Sequence, residues 1–155
     1  MVSETALAAM LEANFAPWVR ALGIVIEELH LDGVSLSIAA TPAVARAGGT
    51  LCGQATMALA DTAMALAIAR VTGGFPAMTT ITQTTSFLRP VRGQRLFARA
   101  RVLRLGRTLA YGEIVLHEGE EARPVAHATS SYMLLAAATP SESGTAAGGE
   151  RPRER

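Results

Sequence analysis

Apolar and polar residues alternate through most of the second half of the chain, which is typical of strands that bury one face. The alternation predicts four strands, at Ala77 to Leu88, Gln94 to Leu105, Thr108 to His117 and Arg123 to Leu135. Short turns that each contain a glycine separate the four runs. Consecutive strands joined by such turns predict an antiparallel meander.

The first part of the chain begins with a helical spacing instead. Leu7, Leu11 and Phe15 recur at helical intervals, which predicts a short amphipathic helix over residues 4 to 15. Two segments with strand character follow, IVIEELHL and GVSLSIAA, and the Asp32-Gly33 pair between them predicts a hairpin turn.

Between these two parts lies a stretch of small and apolar residues, which predicts a long helix from about Gly53 to Val71. Its apolar positions run nearly all round, so the helix should be buried on most sides. This order of elements predicts an α+β fold in which an antiparallel sheet wraps around one central helix. We predict one domain over residues 1–135 and a disordered tail over residues 136–155.

Asp61 is the single acidic residue of the long helix and the only charged residue between Arg46 and Arg70. An ionised carboxylate in an apolar environment is costly unless it is paired or solvated. Asp61 is therefore a candidate functional residue. The alternative is that Asp61 lies on the one solvated stripe of the helix.

The composition limits the classes of partner. A formal net charge of +1 over 155 residues argues against nucleic-acid binding by phosphate neutralisation. The single cysteine excludes an intramolecular disulfide and a cysteine zinc cluster, and the histidines lack metal-ligand spacing, so we expect no metal and no cofactor. The polar residues within the long helix argue against a membrane span, and the acidic N-terminal segment argues against a secretory signal. We therefore expect a cytoplasmic protein.

Three segments, in this order, resemble hotdog-fold proteins, and among them the PaaI-type acyl-CoA thioesterases: GGTLCGQATMALADTAMALA, TTITQTTSFLRPVRG and RVLRLGRTLAYGEIVL. The resemblance extends from about Trp18 to Leu135. In that family the central helix usually begins at His-Gly-Gly, and the catalytic Asp or Glu follows nine residues after the His. Asp61 follows nine residues after Cys52, so Cys52-Gly53-Gln54 takes the position of that motif.

The same resemblance points to two further site positions. Many relatives have Asn or Gln fifteen residues before the acid, where this chain has Arg46. A Ser or Thr near the start of the next strand often completes the site, and either Thr79 or Thr80 falls there. The resemblance also implies an acyl-CoA substrate and a homodimer, often paired again into a tetramer.

Thioester hydrolysis needs a nucleophile or base and hydrogen-bond donors for the developing oxyanion. Asp61 can supply the first, as a direct nucleophile or as a base for water. The backbone N–H of Gly53, at the positive end of the helix, can supply the second. The two residues are eight positions apart, about 12 Å along a helix, so they cannot both contact one thioester carbon. Two helices related by a twofold axis can bring Gly53 of one chain near Asp61 of the other.

Arg46 has three interpretations: it pairs with Asp61, it binds an anionic group of the substrate, or it is an exposed loop residue. Seven arginines between Phe87 and Gly112 can form a basic rim for the phosphates of coenzyme A, although most of them are expected to lie on a solvated strand face. Cys52 near the helix start is a possible nucleophile but is expected to be a small buried side chain. The candidate substrate-binding residues are Arg46, Cys52, Gln54, Thr79, Thr80, Arg89, Arg107 and Thr108.

Three functions compete at this point. The leading hypothesis is an acyl-CoA thioesterase with Asp61 as its catalytic acid residue. The first alternative is a non-catalytic acyl-CoA or lipid-binding hotdog protein, because Arg46, Cys52 and Gln54 depart from the family pattern. The second alternative, a hotdog dehydratase, requires a histidine on or just before the central helix, and none is present there.

Overall fold

One long helix packs against one face of a six-stranded antiparallel sheet in the computed structural model, which describes residues 2–135. The α-helices are α1 (Glu4–Asn14), α2 (Pro17–Arg20) and α3 (Gly53–Thr72). The strands are β1 (Val25–Leu29), β2 (Gly33–Ala39), β3 (Met78–Phe87), β4 (Arg95–Leu105), β5 (Leu109–His117) and β6 (Ala126–Leu134). The predicted tail over residues 136–155 lies outside the described residues.

The strands are arranged in the order β1-β2-β4-β5-β6-β3, and every neighbouring pair is antiparallel. The strand β3 pairs only with β6, so its other side is a ten-residue free edge within the described chain. Ile81 and Phe87 on this strand are about half exposed. A long edge strand with exposed apolar side chains is a surface on which a further strand can pair.

The helix α3 lies at the centre of the hydrophobic core. Its many small side chains let it pack closely against the sheet. Leu59, Met64, Leu66 and Ile68 are fully buried against the sheet. Gly112 on β5 permits the close approach, since a Cβ atom there would collide with the side chain of Met64. Although α3 is long and apolar enough to span a membrane, most of it is buried inside the protein, as in a core helix.

The first half of α3 carries one stripe that the sheet leaves uncovered. Gln54 and Met57 are exposed on it, and Ala58 and Asp61 are partly buried. Their spacing of three, four and seven residues places them on one side of the helix. Asp61 therefore lies on this stripe, as the alternative interpretation of the sequence expects, and its side chain is partly buried there.

The architecture confirms the predicted fold class, an antiparallel sheet around one central helix. The predicted meander of four consecutive strands is wrong, because β3 pairs with β6 and not with β4. Strand ends differ from the predicted ones by one to three residues at most positions, and β1 is shorter than its sequence pattern indicates. The pairing of β1 with β2 shifts between Ile26 and Glu28. This irregularity interrupts the alternation within the strand.

Candidate active site

The carboxylate of Asp61 is held by two hydroxyl groups from the sheet. The Thr80 hydroxyl donates to Asp61 Oδ1 over 3.2 Å. The Tyr132 hydroxyl donates to the same oxygen and lies 3.0 Å from the backbone carbonyl oxygen of Asp61. Thr80 and Tyr132 are opposite each other in the β3–β6 pair, so one cross-strand pair provides both donors.

A cavity of about 250 Å³ opens beside this carboxylate. Phe15 and Phe75 form an edge-to-face pair in its wall, with ring centroids 5.9 Å apart. Most of the other lining side chains are apolar or hydroxyl-bearing, which makes Asp61 the one carboxylate at an otherwise neutral wall. The remaining lining residues are Asn14, Ala65, Met78, Thr79, Thr80 and Tyr132.

A second and larger cavity, of about 540 Å³, lies at the start of α3. Gly53 is the first residue of the helix, and no group within residues 2–135 accepts a hydrogen bond from its N–H. A Cβ atom at this position would lie 3.3 Å from Phe87 Cζ, so glycine keeps the opening clear. Thr50 also lines this cavity, and its buried hydroxyl has no partner in the described part of the chain.

The two cavities belong to opposite ends of β3. Asp61 lies beside Thr80 near the start of the strand, whereas Gly53 lies beside Phe87 at its end. The donor and the carboxylate therefore face different cavities within one protomer, as expected from their spacing along the helix.

Arg46 lines the cavity of Gly53, not that of Asp61, and it is exposed. Within residues 2–135 it makes no ion pair, so the carboxylate of Asp61 is satisfied by hydroxyl groups in the single chain. Arg89 and Arg92 line the same cavity as Arg46. Three guanidinium groups thus surround the opening at the start of α3.

The other arginines of the predicted rim are divided. Arg107 and Thr108 lie in the turn between β4 and β5, away from both cavities. The carbonyl oxygen of Thr108 accepts a hydrogen bond from the N–H of Leu134, which places this turn at the Asp61 end of the sheet. Three arginines of β4 make ion pairs on the outer face, namely Arg95 with Glu27, Arg99 with Asp32 and Arg101 with Glu113.

Cys52 and Gln54 flank Gly53. Cys52 is the partly buried N-cap of α3, and its thiol makes no capping hydrogen bond. Gln54 is exposed on the uncovered stripe of the helix. Neither side chain contacts Asp61 within the described chain, so their sequence-based assignment to substrate binding stays a prediction.

Tyr132 is the site residue that the sequence does not reveal. It stands in an alternating strand as an ordinary core position, and it is 3% exposed. Burial, and secondarily the charge of Asp61, raises the pKa of its hydroxyl well above the ordinary value of a tyrosine. The hydroxyl therefore stays protonated and donates to the carboxylate. The only sequence signal for this role is that Tyr132 is the single tyrosine in the last predicted strand.

A family model described as the thioesterase superfamily matches residues 48–125, which include α3 and the strands β3, β4 and β5. The chain belongs to the thioesterase superfamily. This membership supports thioester hydrolysis as the general chemistry of the protein. It also confirms the family resemblance seen in the sequence.

Solved structures share the fold of this thioesterase-superfamily protein. A thioesterase family protein from Silicibacter pomeroyi is 24% identical with a TM-score of 0.75, covering 84% of this chain and 96% of its own. A thioesterase from Haemophilus influenzae is 23% identical with a TM-score of 0.76, covering 87% and 92%. The PaaI protein from the phenylacetic acid degradation operon of E. coli is 23% identical with a TM-score of 0.74, covering 85% and 92%. The comparison with curated proteins gives no significant match.

Proposed function

We propose that this protein hydrolyses acyl-CoA thioesters to a free acid and coenzyme A, at sites that two protomers build together. The observation that carries the proposal is the Asp61 carboxylate, anchored by Thr80 and Tyr132 at the wall of a cavity that has no other carboxylate in its lining. Such a group can reach a carbonyl carbon while the acyl chain occupies the cavity.

Asp61 can act by two routes. As a nucleophile, a carboxylate oxygen bonds to the thioester carbon, the C–S bond breaks, and the leaving thiolate takes a proton from water. Water then hydrolyses the resulting anhydride and regenerates the carboxylate. As a base, Asp61 takes a proton from a water molecule whose oxygen bonds to the same carbon, with the thiolate again as the leaving group.

The oxyanion of either route needs a donor, and the N–H of Gly53 is positioned for it at the start of a 20-residue helix. Antiparallel pairing of two β3 edges, about a twofold axis near the middle of the strand, sets Thr80 of one protomer beside Phe87 of the other. Because Asp61 accompanies Thr80 and Gly53 accompanies Phe87, this arrangement joins the two cavities into one site. A homodimer is then the smallest active species, and further pairing into a tetramer is compatible with it.

The substrate arms have separate surroundings in this arrangement. The guanidinium groups of Arg46, Arg89 and Arg92 surround the opening beside Gly53, where they can bind the phosphates of coenzyme A. Arg107 and Thr108 lie at the Asp61 end of the sheet. They are further candidates for binding the coenzyme A part of the substrate in the same composite site. The cavity of Phe15 and Phe75 takes the acyl group.

A hydrolysis screen over aliphatic acyl-CoAs of increasing length and aryl-CoAs, with released thiol as the readout, tests the proposal. We expect turnover for a subset of acyl groups that fit the cavity. Binding of acyl-CoA without thiol release would instead indicate a non-catalytic acyl-CoA-binding protein. This alternative is based on Arg46, Cys52 and Gln54, which depart from the family motif.

A further inference from the structure

The two oxygens of the Asp61 carboxylate are not equivalent. We propose that Tyr132, assisted by Thr80, is a positioning residue that occupies Oδ1 of Asp61 and thereby assigns the reaction to Oδ2. This inference rests on the proposed function and deepens it, since it names the reacting atom of the same site.

Both donors converge on one oxygen. The hydroxyls of Tyr132 and Thr80 donate to Oδ1, and no group within residues 2–135 donates to Oδ2. An oxygen that accepts two hydrogen bonds has its lone pairs engaged, and its partner oxygen keeps its own available. Oδ2 is thus the atom that can bond to a thioester carbon or take a proton from water.

The tyrosine is suited to this role because it cannot move or ionise easily. Its ring is buried in the core with 3% of its surface exposed, and its hydroxyl lies within 3.0 Å of the carbonyl oxygen of Asp61 itself. Its single proton is donated to Oδ1, and the buried ring holds the hydroxyl beside the residue that it orients. Its raised pKa favours the protonated hydroxyl, which is a hydrogen-bond donor and not a base.

Few other charges reach this carboxylate. Among the residues that line its cavity, Asp61 and Tyr132 are the only titratable ones. In the proposed dimer, Arg46, Arg89 and Arg92 of the partner subunit line the adjoining cavity and are further charged groups that can approach. A change in the titration of Asp61 after removal of the Tyr132 hydroxyl can therefore be assigned to the lost hydrogen bond, because these three arginines are the same in the wild type and in the variant.

Tyr132→Phe removes the hydroxyl and keeps the ring, and Tyr111→Phe is its matched control. Tyr111 lies on β5 with its side chain partly exposed and does not line either cavity. We expect Tyr132→Phe to lower kcat about 10- to 100-fold, the scale of a lost hydrogen bond to a charged group, with a much smaller change in KM. The acid limb of its pH–rate profile should move to higher pH, because a donor to the ionised form is lost. Tyr111→Phe should behave as wild type.

A second measurement does not depend on activity. The chain has two aspartates, Asp32 and Asp61, so carboxyl-¹³C aspartate labelling gives two signals that Asp61→Asn assigns. We expect the Asp61 signal to titrate at higher pH in Tyr132→Phe, while Asp32, which is paired with Arg99, stays unchanged. If Tyr132→Phe fails to fold, Thr80→Val should show the same direction with a smaller shift.

The outcomes separate the two proposals. A folded Tyr132→Phe with wild-type kcat, acid limb and Asp61 titration overturns the positioning role, and so does an unshifted Thr80→Val if the tyrosine variant is unfolded. A wild-type protein that hydrolyses no acyl-CoA while its Asp61 signal still shifts in the variant contradicts the proposed function and leaves the hydrogen bond intact.

Discussion

Gly53 and Asp61 lie on the same helix but line two different cavities, one at each end of β3. The donor for an oxyanion and the carboxylate that would attack the carbonyl are thus held rigidly apart in a single chain. In the proposed dimer a site shared between two chains resolves this separation, and the exposed edge of β3 is the surface on which the second copy would pair.

Asp61→Asn should leave the fold intact and lower turnover at least about 100-fold, since the amide has no charge with which to attack carbon or accept a proton. Asn keeps the shape and an oxygen that accepts from Thr80 and Tyr132. Thiol release and thermal unfolding measured on the same preparation check both parts. Near wild-type turnover would show that the site lies elsewhere.

Gly53→Pro should remove the oxyanion donor while still allowing α3 to begin at this residue. Proline is tolerated at the first position of a helix, and Cys52 already has the extended conformation that precedes proline, with φ −73° and ψ 150°. We expect kcat to fall about 100-fold or more. Gly53→Ala, which adds a Cβ near Phe87 but keeps the N–H, is the control and should retain far more activity. Equal losses in both variants would assign the effect to steric crowding.

Heterodimers of Asp61→Asn with Gly53→Pro should regain activity that both parent homodimers lack. If both chains contribute to each site, one of the heterodimer's two sites contains both substitutions and the other contains none. About half of the wild-type activity per dimer should therefore return. Co-expression with two different tags and sequential purification isolates this species. An inactive heterodimer would mean that each site belongs to one chain.

Arg46→Ala should lower kcat/KM by about 1–3 kcal/mol if the guanidinium binds the substrate, the scale of a charge-assisted hydrogen bond. Arg46→Gln, which restores the commoner residue type of related enzymes, should retain more activity than the alanine variant. Arg104→Ala on β4 removes one positive charge away from both cavities and serves as the control. Unchanged kinetics in both Arg46 variants would identify this residue as a surface arginine.

Glu113 should stabilise the fold only at pH values at which its carboxylate is ionised. The hydrogen bond from His127, together with the charge and hydrogen bond of Arg101, holds the pKa of this carboxyl below its ordinary value. Its contribution is therefore present above the unfolded-state pKa of about 4.3 and is lost as the pH falls through the lower folded-state value. We expect Glu113→Gln to lower the unfolding free energy at pH 7 by about 1 kcal/mol, and denaturant titrations should show this difference vanishing below about pH 4.

Local patterns in the sequence determined the elements of this protein. The apolar run from Gly53 predicts α3, and the alternation after Ala77 predicts the strands, because each pattern depends on residues only a few positions apart. Asp61 is recognisable in the same way, since the single acidic residue of such an apolar helix is conspicuous without any knowledge of the fold. The fold class and the position of the candidate carboxylate therefore follow from the sequence.

The partners of Asp61 were decided by the tertiary structure alone. The register of β3 changes between Thr80 and Thr82, and this irregularity governs which threonine hydroxyl faces the helix, so the spacing could not choose between Thr79 and Thr80. Tyr132 reaches the carboxylate across 71 residues of chain, through the pairing of the last strand with an edge strand. Such contacts depend on strand order and register, which arise only when distant segments pack, and no local pattern encodes them.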